Sequence, residues 1–329
     1  MEVLHERCAG LDVHKKSVSG CVLVPEGREK RSFGTTTRQL RELADWLEGY
    51  GVSQVAMEST GVYWKPVYNL LEERGFQILL VNAKHIKAVP GRKTDLSDAE
   101  WIAQLLRHGL LRGSYVPSRP ERELRELVRH RRTLIRQRAE TVNRIQKVLE
   151  GANIKLASVA SDVLGASGRA MLEAMVAGEE DPAQLASLAR GTLKGKRAEL
   201  EEALEGSLRP HQRLLLASLL RQVEFLDREI AGLDEEVARR MRPFEPALEQ
   251  LDTIPGIGRR LAEEIVAETG TDMSRFPTEA HLASWAKVCP GNHESAGKRL
   301  SGRTGKGNPW LRTALVEAAW AAARTKGTF

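Results

Sequence analysis

The spacing of apolar residues changes at Pro120, and this change constrains the fold more than any other feature of the sequence. Before Pro120, short β-branched runs alternate with stretches whose apolar residues recur at the spacing of an amphipathic helix. Beyond Pro120 the helical spacing is almost uninterrupted. We therefore predict an α/β amino-terminal part followed by an all-α remainder.

Five strands are predicted before Pro120, together with three helices. The strands are expected at residues 8–13, 17–24, about 31–35, 52–57 and 76–81, and the helices at 40–47, 63–74 and from the Asp95 region to about Leu111. The turn signature Pro25-Glu26-Gly27 indicates that the second and third strands form a hairpin. Three hairpin-like strands followed by strand-helix alternation is the order expected of a ribonuclease H-like sheet.

Two long helices are predicted in the remainder. Apolar residues from Leu124 to Leu149 form a stripe on the first, and those from Leu216 to Val237 step by alternating threes and fours, which is a heptad seam. The pair implies either an antiparallel hairpin or a dimerising coiled coil. Pro243 and Pro246 are expected to mark a domain boundary. The predicted domains are thus 1–118, 119–245 and 246–329.

The composition excludes several classes of protein. A chain of 329 residues can bury large cores without disulfide or metal staples. Cys8, Cys21 and Cys289 are far apart and form no C-x-x-C pair, which favours reduced thiols over disulfides or zinc ligands. No uncharged apolar run is long enough to cross a bilayer, and the amino terminus lacks a secretory pattern. We therefore expect a cytoplasmic protein with no membrane partner.

Positive charge is concentrated on the first long helix. The whole chain carries a formal net charge of +6, and residues 119–147 alone hold ten basic against four acidic residues. Arginine guanidinium groups match phosphate oxygens, so the stripe indicates contact with a nucleic-acid backbone through Arg129, Arg132 and Arg136. A solvated helix face explains the same pattern equally well.

Four acidic residues lie at the predicted ends of secondary elements. Asp12, in GLDVHKKS, and Glu58, in AMESTG, end two strands, while Asp95 and Asp98, in KTDLSDAE, are three apart at a helix start and project from one face. Hard divalent cations need several oxygen ligands, so the four residues are candidate ligands of a two-metal site. Taken singly, either aspartate is better explained as a helix cap or first-turn residue, and Glu58 as a surface residue.

The segment Leu251–Gly270, LDTIPGIGRRLAEEIVAETG, is predicted to form a helix-hairpin-helix. Gly256 and Gly258 would allow backbone N–H groups to approach a phosphate at the start of the second helix. The alternative is an ordinary helical turn in a packed domain.

A glycine-rich basic segment follows near the carboxyl end of the sequence. Ser295 lies there among His293 and four basic residues, Lys298, Arg299, Arg303 and Lys306. A serine hydroxyl needs activation to act as a nucleophile. By itself the segment is therefore better explained as a phosphate-binding loop, with Ser301 as a second candidate nucleophile and His293 as an unproven base.

Three motifs resemble those of a known family. GLDVHKK, ESTGVYW and KTDLSDAEWIAQLL, in this order, resemble the D-E-D-D motifs of bacterial insertion-sequence transposases with a RuvC-like amino domain, whose relatives include the invertase of pilin genes. The segment SWAKVCPGNHESAGKRLSGRTGKGNPWLRTAL resembles the family's carboxy-terminal serine domain. The resemblance places the acids on Asp12, Glu58, Asp95 and Asp98 and the serine on Ser295.

The resemblance carries further expectations. It implies Mg²⁺ at the acids, a covalent phosphoserine link to DNA, and active sites assembled across the protomers of a dimer or tetramer. It also implies donor and target DNA as partners, a structured non-coding bridge RNA that guides the choice of site, and a nucleoid-associated place in a bacterial cytoplasm.

Three functions follow in order of preference. The first is a DNA transposase or site-specific recombinase. The second is a metal-dependent junction-resolving nuclease that uses the four acids alone and leaves Ser295 structural. The third is a nucleic-acid-binding scaffold with a decayed ribonuclease H fold, which the presence of all four acids disfavours.

Overall fold

The computed structural model describes residues 2–83, 86, 97–291, 293–295, 297–305 and 307–326. The chain forms two compact units, Met1–Arg119 and Pro120–Phe329. The division falls where the spacing of apolar residues changes. Among the described helices, none has the length and apolar character needed to cross a membrane.

A five-stranded mixed sheet forms the centre of the first unit. Its strands are β1 (Cys8–Val13), β2 (Ser17–Val24), β3 (Gly27–Gly34), β4 (Gln54–Glu58) and β5 (Gln77–Val81), arranged in the order β3-β2-β1-β4-β5. β2 pairs antiparallel with both β1 and β3, and β4 pairs parallel with both β1 and β5. Three antiparallel strands followed by strand-helix alternation is the succession predicted from the sequence, which left the order across the sheet open. The third strand begins earlier than predicted, because its pairing with β2 extends to Val24 and Gly27 and leaves a two-residue turn.

Helices cover both faces of the sheet. α1 (Thr37–Gly49) and α2 (Trp64–Glu73) pack on one face, where Leu11 of β1 and Met57 of β4 are buried. α3 (Asp98–Arg107) packs on the other face, where Cys8 and Ala56 are buried. The alternation follows from the period of two along a strand.

α3 lies directly on the backbone of β1. A Cβ atom at Gly10 would lie 2.2 Å from the carbonyl oxygen of Ala99 and 2.4 Å from the nitrogen of Ala103. The helix runs antiparallel to β1, because Ala103 O is 3.7 Å from Cys8 Sγ and Arg107 O accepts from Leu4 N at 2.8 Å. The first residue of α3 is therefore at the carboxyl end of β1.

Two long antiparallel helices organise the second unit. These are α4 (Arg119–Gly151) and α9 (Pro210–Met241), and ion pairs join them along their length, from Arg240–Glu123 through Arg131–Asp234 to Arg138–Asp227. Leu134 of α4 packs with Leu226 and Ile230 of α9. The partner of the predicted seam is thus the basic helix of the same chain.

Shorter elements complete the second unit. Between the long helices lie α5 (Leu156–Val159), α6 (Ala166–Ala177), α7 (Pro182–Ser187) and α8 (Arg197–Ala203), and after them α10 (Glu245–Asp252), α11 (Arg259–Thr269), α12 (Glu279–Ala286), β6 (His293–Ser295), β7 (Lys298–Ser301) and α13 (Pro309–Arg324). Short 3-10 segments span Gly191–Lys196, Arg242–Phe244 and Met273–Arg275. Leu124 of α4 and Val237 of α9 share one core with Ala262 and Leu311. The beginning of α4 and the end of α9 are therefore packed with the carboxy-terminal helices.

Candidate active site and nucleic-acid contacts

Asp12 and Glu58 lie near the carboxyl ends of neighbouring parallel strands, Asp12 as the last residue but one of β1 and Glu58 as the last of β4. Leu11 pairs with Met57, so the next residue of each strand lies at the same level of the sheet. Side chains alternate between the two faces of a strand, so Asp12 is on the same face of β1 as Cys8, and Glu58 is on the same face of β4 as Ala56. This is the face that α3 covers. The two carboxylates are thus brought to one edge and one face of the sheet.

Asp98 begins α3 at this same edge. The helix is capped by Ser97, whose side chain accepts from the N–H of Glu100, so Asp98 is a first-turn residue and is not the cap. Asp95 lies outside the described residues. Among the residues that are described, no three His, Cys, Asp or Glu side chains are grouped so that they could hold a metal ion. The four-carboxylate metal site therefore stays a prediction, and its all-oxygen donor set suits Mg²⁺.

A further acid in the same motif has a different role. Glu100 is only 1% exposed and forms ion pairs with Arg28 and Lys30 of β3. Its charge is thus compensated inside the unit, and it is tied to the far strand of the sheet. The sequence analysis missed this residue, although an acid among the apolar residues of AEWIAQLL is a signal of a buried ion pair.

The turn between β1 and β2 places basic groups beside Asp12. His14 Nε2 is 3.0 Å from Asp12 Oδ2, and the Asp12 side chain is 19% exposed. The turn is fixed by a hydrogen bond from His14 N to Ser17 O and by one from the Thr35 hydroxyl to Lys15 O. Lys15 is exposed. The sequence analysis did not assign this turn, which could hold a phosphate next to the acids.

The arginine stripe of α4 is largely paired with acids of the same unit. Arg129 binds the buried Glu268 through two hydrogen bonds of 2.6 and 2.8 Å. Arg132 forms ion pairs with Glu264 and Glu317. The charge at two of the three predicted phosphate contacts is therefore already compensated within the protein.

Arg136 differs from its two neighbours. Its side chain is 69% exposed, and its ion pair with Glu140 is long, at 3.9 Å. By contrast, Arg131 is 2% exposed and bridges Asp234 and Glu263. The basic stripe is therefore neither a uniform phosphate contact nor a plain solvated face, because part of it is an internal ion-pair network.

The two glycines of the predicted helix-hairpin-helix have different surroundings. Gly256 has φ +88°, and a Cβ there would lie 2.5 Å from Ala318 O and 2.7 Å from Ala322 N of α13. Gly256 thus allows close packing against a helix of the same unit, whereas the sequence predicted that it would allow the close approach of a phosphate. Gly258 is the exposed N-cap of α11, with no atom within 4 Å of a Cβ built there. Gly258 therefore remains the candidate for a phosphate contact.

Ser295 lies in a short hairpin. β6 pairs antiparallel with β7, so that Ser295 is opposite Lys298 and Glu294 is opposite Arg299. Gly297, in the turn, has φ +74°, which favours glycine. The base of the hairpin is closed by a hydrogen bond from Gly291 N to Gly302 O.

A cationic cavity adjoins this hairpin. It has a volume of about 670 Å³, and its walls include Arg303 and Arg312 together with Gly305 and Gly307. Within the part of the chain that the structure describes, neither arginine forms an ion pair with a carboxylate. Lys306, the other predicted cation of this loop, lies outside the described residues. Two guanidinium groups in a concave site suit a phosphate group, and Arg312 was not predicted from the sequence.

Two sequence families match this chain. Residues 9–154 match the DEDD transposase family of IS110 type, which is described as "Transposase". Residues 248–329 match the family described as "Transposase IS116/IS110/IS902 family". The first match contains the four acids, and the second contains Ser295 and the cationic cavity.

Individual relatives agree with these matches. The transposase for insertion sequence element IS1111A of Coxiella burnetii is 25% identical over 277 residues, covering 83% of this chain and 66% of that protein. The insertion element IS116 uncharacterized 44.8 kDa protein of Streptomyces clavuligerus is 28% identical over 247 residues, covering 65% of this chain and 60% of that protein. The chain thus spans less than two thirds of either relative.

One solved structure is also similar in part. It is T. thermophilus RuvC in complex with a Holliday junction substrate, which is 13% identical and covers 33% of this chain and 100% of that chain, with a TM-score of 0.25.

Proposed function

We propose that this chain cuts and rejoins DNA as the transposase of an insertion sequence, because residues 9–154 and 248–329 match two families that are described as transposases. The observation that supports this most is the placement of Asp12 and Glu58 at one edge of the sheet, with Asp98 at the start of the helix that reaches the same edge. These residues lie within the stretch that matches the DEDD family.

Mg²⁺ is the cofactor of the proposed reaction. Asp12, Glu58, Asp95 and Asp98 would hold it, because carboxylate oxygens are the donors that this cation prefers. Bound there, it would neutralise charge that develops on a phosphodiester during bond exchange. Lys15, exposed in the turn that follows β1, would hold the neighbouring phosphate.

Ser295 is the proposed nucleophile. Its Oγ forms a bond to the phosphorus of a DNA phosphodiester, the bond from phosphorus to one sugar oxygen breaks, and the proton that the serine hydroxyl loses is balanced by the one that this sugar oxygen gains. Attack by another DNA hydroxyl then reverses the exchange and releases the serine, so no nucleotide cofactor is needed. Arg303 and Arg312 would stabilise the extra negative charge at phosphorus.

The proposal includes a guide RNA and a homo-oligomer, both implied by the family resemblance. If base pairing chooses the site, the protein needs to recognise only shape and backbone. The ion pairs of α4 support this part, because Arg129 and Arg132 are held by acids of the same unit and are not presented as a base-reading surface.

The decisive test is denaturing electrophoresis of the full chain incubated with labelled DNA, guide RNA and Mg²⁺. We expect a covalent adduct that Ser295→Ala abolishes and Ser301→Ala preserves. Asp12→Asn should abolish recombination, whereas the control Asp45→Asn, on the exposed surface of α1, should not.

Other outcomes would contradict the proposal. If only Ser301→Ala abolishes the adduct, the nucleophile is Ser301 and not Ser295. Strand cleavage without any adduct would support the nuclease that uses the acids alone. Full recombination by Asp12→Asn would remove the acids from the mechanism.

A further inference from the structure

We propose that a groove between α4 and α13 binds one unpaired nucleotide, with the base on Trp310 and a phosphate at Arg136. This inference rests on the nucleic-acid function proposed above, and it assigns a ligand to a site separate from the acids and from Ser295. The groove has a volume of about 570 Å³, within the range of sites that enclose a small organic ligand.

The walls of the groove are mostly apolar. Ile135 and Ala139 of α4 face Pro309 and Trp310 of α13 across it. The hydroxyl of Thr133 donates to the carbonyl of Arg129 at 3.0 Å, so it is already satisfied by its own helix. Such walls favour a flat, weakly polar group over a strongly hydrated one.

One cation of the groove is available to an anion. Arg132 lines it but is held between Glu264 and Glu317, which line it as well, so these three residues together carry a formal charge of −1 and offer no cation to a ligand. The ion pair of Arg136 with Glu140 is long and exposed, and such pairs contribute little. Arg136 is therefore the cation of the groove that is most available to a phosphate.

Trp310 is oriented before any ligand binds. Its backbone N–H donates to Asn308 Oδ1 at 3.0 Å, which fixes the start of α13. The guanidinium of Arg129 lies 5.7 Å from the centre of the indole ring. Arg129 is in turn held by two hydrogen bonds to the buried Glu268, which also accepts from the Asn308 side chain. An ordered indole beside an available arginine suits a base joined to a phosphate.

The geometry favours an unpaired nucleotide over a duplex. In a duplex both faces of each base are stacked on neighbours, whereas an unpaired base can offer a face to an aromatic ring. Single-stranded RNA and single-stranded DNA share this chemistry, so both are included in the test.

The test measures binding of the full chain to a fluorescent oligonucleotide as single-stranded RNA, as single-stranded DNA and as a duplex of the same sequence. Trp310→Leu should weaken single-strand binding by about tenfold or more and leave duplex binding nearly unchanged. The matched control is Trp320→Leu, because Trp320 is on the same helix, is 62% exposed and also has an arginine over its ring. Trp310→Phe keeps a stacking ring and should retain most of the affinity, which separates stacking from a folding defect.

Two further measurements locate the ligand. An oligonucleotide with one 5-iodouracil should crosslink to Trp310 under ultraviolet light, with the site identified by mass spectrometry. Arg136→Ala should reduce the salt dependence of single-strand binding by about 0.7 in slope. Arg144→Ala, an exposed arginine of α4 outside the groove, should reduce it less.

The outcomes distinguish the inference from the proposed function. Equal losses in the Trp310 and Trp320 variants, or a crosslink that maps only elsewhere, would refute the groove site. If Trp310→Leu keeps its affinity for single strands and still forms the covalent adduct, the groove site is refuted and the proposed recombinase function stands. Absence of nucleic-acid binding by the wild-type chain would refute both. The relative affinities for RNA and DNA identify the strand that supplies the nucleotide.

Discussion

Substitution of Gly10 by Ala tests how the acids are brought together. The new methyl would lie 2.2 Å from Ala99 O and 2.4 Å from Ala103 N, both of them backbone atoms of α3. Non-bonded heavy atoms settle at about 3.5 Å, so α3 or β1 must move by about 1 Å. Backbone atoms cannot rotate away as a side chain can. We therefore expect a loss of stability of about 3 kcal/mol, at the upper end of the range for overpacking.

The same shift should damage the site. Asp98 immediately precedes Ala99 in α3 and must move with it. A displacement of about 1 Å in a catalytic group can reduce a rate by about 100-fold. Recombination by Gly10→Ala should thus fall far more than the loss of folded protein accounts for.

The assay is hydrogen exchange by mass spectrometry on the full chain, together with the recombination rate. Peptides from β1 and α3 should exchange faster in Gly10→Ala, while peptides from Pro120 onward keep their wild-type protection. The matched control is Gly20→Ala on the neighbouring strand, where the nearest atom is in the side chain of Trp46, at 2.9 Å, and can move aside. Unchanged exchange and activity in Gly10→Ala, or equal effects of both substitutions, would refute the reasoning.

Two further predictions concern buried groups. Glu268→Gln should destabilise the protein by about 3 kcal/mol in denaturant unfolding, because it leaves the partly buried Arg125 and Arg129 without the charge of their buried carboxylate. Glu317→Gln, at an exposed partner of Arg132, should cost less than about 1 kcal/mol. Equal costs would contradict the assigned network. Burial raises the pKa of the Cys8 and Cys21 thiols to about 11 each, so in the folded protein a thiol reagent at pH 8 should label Cys289 alone. Because both pKa values are raised above the ordinary 9.0, the contribution of the two buried thiols to the free energy of folding is present below pH 9 and is lost as the pH rises towards 11. Rapid labelling of Cys8 or Cys21 at pH 8 would contradict the burial of these thiols.

Much of the first unit could be predicted because its signals are local. β1 was predicted as a short apolar run, which suits a strand that is buried on both faces, and Asp12 and Glu58 were placed at strand ends from their own flanking residues. The seam of α9 could likewise be identified from its spacing, since a stripe of apolar residues on a helix must be buried against a partner. Which helix would be that partner was left open by the sequence.

Tertiary structure decided the role of each charged residue. Arg129 and Arg136 are indistinguishable in the sequence, yet one is held by Glu268, far along the chain, and the other extends into solvent. Gly256 had the same ambiguity until α13 was seen to pack against it. Spacing along the chain encodes which face of an element is buried, because it reflects backbone geometry alone. It does not encode which distant carboxylate will meet a given arginine, because that depends on how the elements pack.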